Sequence, residues 1–111
     1  MGYRSEVAIQ LSDDAARLLY AVAEHQGELK ELLEEAETTI DFEADDIGGK
    51  LHWDYIKWYD GFPCVDAVET IMMTIPDDDF HFIRIGEETD DITQHGASHY
   101  SDMYVQRAIV W

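Results

Sequence analysis

Hydrophobic and polar positions alternate at the start of the chain: Tyr3, Val7, Ile9 and Leu11 share one parity, while Arg4, Glu6 and Gln10 hold the other. A period of two predicts a half-buried strand over residues 3–11. Ser12 ends it and has the chemistry of a helix N-cap, followed by Asp13 and Asp14, whose charges complement the positive end of a helix dipole. Leu18, Leu19, Val22 and Ala23 supply an apolar stripe, and Gly27 is a candidate C-terminal cap. Leu29, Leu32, Leu33 and Ala36 then resume helical spacing, so a kinked or two-part helix is expected to about residue 36.

The period returns to two at Ile40, Phe42 and Ala44, and again at Leu51, Trp53 and Tyr55 after Gly48-Gly49, which predicts a β-hairpin. Asp60-Gly61-Phe62-Pro63 is turn chemistry, with Pro63 suited to open a helix. Val65, Val68, Ile71, Met72 and Ile75 recur at three and four, marking a second helix over 64–75 that Pro76 stops. Residues 80–85 and 104–111 read as strands, and the polar stretch 86–102 between them as loop. The order β-α-β-β-α-β-β predicts an α+β fold in which two helices cover one face of an antiparallel-rich sheet. The first six elements match the split βαβ, ferredoxin-like pattern, and the seventh is expected as an added edge strand.

A length of 111 residues, with 46% hydrophobic and 12% aromatic positions, suits a single folded domain over 1–111. Charge changes the picture most. Twenty-five acidic residues against seven basic ones give a net −18, which argues against direct binding to nucleic acid or to an anionic membrane and makes a basic partner the expectation. The one cysteine, Cys64, excludes an internal disulfide, and no signal-like or membrane-length apolar run occurs, so a soluble cytoplasmic protein without a cofactor is expected.

The carboxylates are concentrated. Residues 28–46 hold nine, among them Glu31, Glu34, Glu35, Asp41, Glu43, Asp45 and Asp46, against Lys30 alone. Residues 77–91 hold seven, Asp77, Asp78, Asp79, Glu87, Glu88, Asp90 and Asp91, against Arg84. Such runs commonly serve only as a solvated face. They also permit mimicry of a phosphate backbone: eighteen charges correspond to about 31 Å of duplex, and a globule of this length is about 34 Å across.

Other chemistry is less favoured. The acidic runs lack the spacing of an EF-hand loop, so no metal is assigned, and His95 and His99 are separated by Gly96, which disfavours the helix their pairing would need. Gly48-Gly49 sits beside Asp45 and Asp46, which would repel phosphate. Cys64 follows Pro63 at a helix start, where a dipole lowers a thiol pKa, yet no catalytic signature surrounds it. Trp53, Tyr55, Trp58, Tyr59 and Phe62 form a dense aromatic set. Trp58, flanked by Lys57 and Asp60 and opposite in parity to Trp53, is expected at the surface as a partner contact.

Met1-Gly2-Tyr3-Arg4-Ser5-Glu6-Val7, Lys57-Trp58-Tyr59-Asp60-Gly61-Phe62-Pro63, Phe82-Ile83-Arg84-Ile85-Gly86-Glu87 with Asp90-Asp91-Ile92, and Arg107-Ala108-Ile109-Val110-Trp111 together resemble the small acidic accessory proteins of tailed phages and prophages, a family without a settled activity. The resemblance implies a host-directed accessory protein, and by analogy the DNA mimics found among small acidic phage proteins. The combined expectation is a non-enzymatic protein in the host cytoplasm that inhibits a basic, nucleic-acid-binding host protein. The alternative is a homodimer or other assembly module whose acidity only confers solubility.

Overall fold

The computed structural model describes residues 4–39, 49–59, 61–88, 91–96, 103–106 and 108–110. Strand β1 (Ser5–Leu11) is followed by helices α1 (Asp13–Ala23) and α2 (Gly27–Glu35), strands β2 (Glu37–Thr38) and β3 (Gly49–Ile56), helix α3 (Pro63–Thr74), a 3₁₀ turn at Asp77–Asp79, strands β4 (Phe80–Ile85) and β5 (Ile92–Gly96), and two short strands, β6 (Tyr104–Gln106) and β7 (Ala108–Val110). The sheet order is β2-β3-β1-β4-β5, every pair antiparallel. The α+β class is therefore as expected.

β1 lies at the centre and is buried on both faces. Val7, Ile9 and Leu11 point into the main core with Leu19, Leu29, Leu51, Val65 and Phe82, so all three helices cover that side. Ala8 points the other way, onto a smaller cluster with Ile83, Met103 and Ile109. The C-terminal segment was expected to be one edge strand; instead β6 and β7 pair with each other and carry Ile109 onto this second face. The reason is burial: Ala8 and Ile83 are fully inaccessible, and an apolar surface there needs a cover. The added edge strand is β5, within the stretch expected to be loop.

Ser12 caps α1, its hydroxyl accepting from the Ala15 N–H at 3.2 Å. α1 ends at Ala23 in tight bonds from His25 N–H to Val22 C=O and from Gln26 N–H to Ala23 C=O. Gly27 accordingly opens α2 rather than capping α1. Trp53 Nε1 donates to the Leu32 carbonyl at 2.9 Å, satisfying one of the last carbonyls of α2, which have no partner within the helix. The expected strand over 40–44 lies outside the described residues.

Trp58 is not at the surface. It is 7% exposed and packs against Trp53 at 5.6 Å and Phe82 at 5.8 Å between ring centroids. The parity argument fails because the register slips: Ser5 pairs with Ile56 but Val7 with Trp53, so β3 carries an extra residue. That bulge turns Ile56 towards the core and leaves Tyr55 exposed, beneath the Arg4 guanidinium at 5.3 Å. Beyond Ile56 the strand has ended and alternation no longer holds.

The two tryptophans should therefore respond differently to substitution. Trp53→Phe strips the Leu32 carbonyl of its donor and should cost about 1–3 kcal/mol in urea denaturation. Trp58 Nε1 is buried without a partner, so Trp58→Phe should cost less than Trp53→Phe, whereas Trp58→Ala, which empties the cluster, should cost about 3–5 kcal/mol.

Candidate functional site

The acidic segments are placed mainly at the surface. Glu28, Glu31, Glu34 and Glu35 are exposed along α2, as is Glu37 on β2, while Leu29, Leu32 and Leu33 hold the opposite side of the helix in the core. Among the described residues none of those four α2 carboxylates makes an ion pair. Asp77 and Asp78 are exposed in the 3₁₀ turn. Asp79 is half-buried, and its carbonyl accepts from Ser12 N–H at 2.8 Å, tying that turn to the start of α1. Glu87 and Glu88 are exposed, and Glu87 accepts from the Arg4 N–H at 3.0 Å. Asp91 faces inward to Arg84. Asp41, Glu43, Asp45, Asp46 and Asp90 lie outside the described residues.

A polar relay crosses the sheet face opposite the helices. His52, 3% exposed, lies 2.7 Å through Nε2 from Glu6 Oε2, and its Nδ1 is 3.5 Å from Asp54 Oδ1. The second oxygen of Glu6 accepts from the Ile109 N–H at 3.0 Å, so one carboxylate joins β1, β3 and the β6–β7 hairpin. The ligand atoms of Glu6, His52 and Asp54 lie within 4.8 Å of one another. In this arrangement, however, the two carboxylates address opposite ring nitrogens, which orients the imidazole as a bridge instead of converging on one ion. Sequence reasoning missed this group. Its only trace was a glutamate on the polar parity of a strand that proves to be buried on both sides.

A cleft of ≈ 1050 Å³ lies between the C-terminal half of α3 and the β4–β5 edge, with Trp58 and Tyr59 among its lining residues. Arg84 stands in its wall. Its guanidinium donates to both oxygens of Asp91, at 2.6 and 3.3 Å, and also to Ser5 Oγ and Thr93 Oγ1. This fork geometry fixes and neutralises the cation. His95 stacks on Phe82 at 5.8 Å, and the next residue, Gly96, has φ +82; a Cβ there would collide with the Phe80 carbonyl, so glycine is required where the edge strand turns. His81 bonds Gln94 on the other face of the sheet, so the two histidines do not converge. A second, more apolar depression of ≈ 660 Å³ lies between α1 and α2. Tyr20 lines it, with its phenol pKa raised by burial and partly restored by a hydrogen bond with Thr38.

Cys64 is half-buried at the start of α3. Burial raises its thiol pKa, backbone hydrogen bonds at Val65 and Cys64 lower it in part, and the nearby Glu28 and Glu35 carboxylates raise it further. The dipole argument for a reactive thiolate is thus outweighed by desolvation and the acidic face of α2. Alkylation by iodoacetamide should be slower than that of glutathione at neutral pH, and its rate should still be climbing above pH 9, the ordinary thiol range. A rate that levels off below neutrality would instead show an activated thiolate.

No helix among the described residues is long and apolar enough to cross a membrane. Searches against protein-family models, curated proteins and solved structures match nothing to this chain.

Proposed function

We propose that this chain is a non-enzymatic acidic binding protein, a phage or prophage accessory factor in the host cytoplasm that occupies the basic, nucleic-acid-binding surface of a host protein by presenting DNA-like charge. The observation that carries this reading is α2. From Glu28 to Glu35 the helix rises about 10.5 Å, and its four exposed carboxylates less Lys30 leave about one net charge per 3.5 Å. One strand of duplex DNA carries a charge every ~3.4 Å along the axis. Glu34 and Glu35 also occupy the last turn, where no basic residue balances them. Carboxylates at that end oppose the helix dipole, each at a cost of about 0.3–1 kcal/mol. Charge held against local stability fits a binding role better than a purely structural one.

Self-association through the edge of β5 is the second reading. The five-stranded sheet ends on that strand, and Ile92 is 42% exposed at its start. Burial of Trp58 removes the aromatic contact this reading would otherwise use. As for the architecture, we read the sheet as a ferredoxin-like variant, supported by the order β2-β3-β1-β4, with β5 added at the edge.

The test is capture of proteins from bacterial lysate on the immobilised chain, with identification by mass spectrometry and competition by duplex DNA. Captured proteins should be basic, released by DNA and lost as salt shortens the screening length below the ~8 Å of physiological buffer. The variant Glu28→Gln, Glu31→Gln, Glu34→Gln, Glu35→Gln should associate at least about tenfold more slowly, with dissociation little changed. Undiminished capture by that variant overturns the role of α2. A chain that captures nothing, and sediments as a dimer dispersed by charge substitutions on β5, supports the assembly reading.

A further inference from the structure

We propose that Met73 is a site of reversible oxidation by hydroperoxides, converted to the sulfoxide in the folded chain while its neighbour Met72 is spared. α3 carries the two side by side near its C-terminal end, and successive residues of an α-helix point about 100° apart. One side chain therefore enters the core and the other leaves it. Met72 is 7% exposed and belongs to the main core cluster, whereas Met73 is 86% exposed. Met103 is 5% exposed, in the smaller cluster on the opposite face of the sheet.

The chemistry follows from that difference. The thioether sulfur attacks one oxygen of a hydroperoxide: an S–O bond forms as the O–O bond breaks, and the proton on the transferred oxygen passes to the departing one. The sulfur is oxidised by two electrons to the sulfoxide, and the hydroperoxide is reduced to water or an alcohol. A sulfur enclosed by the core meets the oxidant only when the fold opens, while one at the surface meets it directly. The thiol of Cys64 competes poorly, because it is half-buried and burial raises its pKa, holding it in the protonated form that does not attack peroxide. Met73 also lines the cleft between α3 and the β4–β5 edge. Its sulfoxide places a polar, chiral group where the reduced chain presents a flexible apolar one, and leaves the core untouched. Oxidation here changes surface chemistry alone, and the same exposure admits the reductases that restore methionine.

The test is timed exposure of the folded chain to excess hydrogen peroxide at mildly acidic pH, quenched with catalase and read by tandem mass spectrometry, with N-acetyl-L-methioninamide in the same tube as the reference thioether. Met73 should be oxidised within about threefold of the reference rate, and Met72 and Met103 at least about tenfold more slowly. In concentrated urea all three should react alike, which assigns the difference to the fold. Met73→Leu should abolish the fast oxidation and leave the slow ones. The chain oxidised at Met73 should keep the parent's melting temperature and return to the parent's mass with methionine sulfoxide reductases and dithiothreitol. Met72 or Met103 reacting as fast as Met73 in native buffer, a rate difference that persists in urea, or a melting temperature lowered by oxidation at Met73 would each overturn the proposal.

Discussion

β1 is buried on both of its faces, and that constraint shapes everything else in the fold. A strand in which Val7, Ala8 and Ile9 are all inaccessible needs apolar cover above and below. Three helices meet the demand on one side, and the C-terminal hairpin meets it on the other. The strand's polar residues must then be satisfied inside the structure. Glu6 does so by accepting from Ile109 and pairing with His52, whereas Gln10 does so only in part, its amide nitrogen donating to the Leu11 carbonyl while its Oε1 is buried without a partner. A single strand thus couples the helical layer, the sheet and the last residues of the chain.

That core is what allows so acidic a chain to be compact. At −18 over 111 residues the folded state carries a substantial self-repulsion, which seven basic residues cannot offset against twenty-five acidic ones. Asp13 pairs with Arg17 at an exposed site worth little, while Arg84 with Asp91 is the better-formed bidentate pair. Apolar burial supplies the stabilisation instead, and it holds α2 by Leu29, Leu32 and Leu33 with its carboxylates turned outward. The result is a display of charge on a helix packed against the core, distinct from a disordered acidic tail.

Much of this was legible in the sequence, for identifiable reasons. Periodicity located β1, α3 and β4 because each is long enough for its repeat to show, and Ser12 and Pro63 marked helix starts through capping and fixed φ. The position of α2's carboxylates followed from the same periodicity. What escaped notice depended on contacts distant in sequence. The extra residue in β3 is defined only by pairing with β1, so Tyr55 and Trp58 exchanged their expected environments. β5 has a polar composition, with Thr93, Gln94 and His95, because it is an edge strand, and its identity comes from hydrogen bonding to β4. Gly27 resembles a cap on either side of a break, and only the tight turn at Val22–Gln26 decides that it starts α2. The cleft joins residues 58 to 96 and has no local signature.

The central claim is that the surface charge is carried by a core which does not need it. Thermal unfolding measured against sodium chloride concentration tests this most directly, since screening relieves self-repulsion but weakens genuine ion pairs. Between low salt and roughly 0.5 M, where the screening length falls well below 8 Å, the melting temperature should rise by several degrees, and by less in a variant whose α2 glutamates are replaced by glutamine. A melting temperature that stays flat or falls with salt would show that the carboxylates are internally compensated and belong to the fold's own stabilisation.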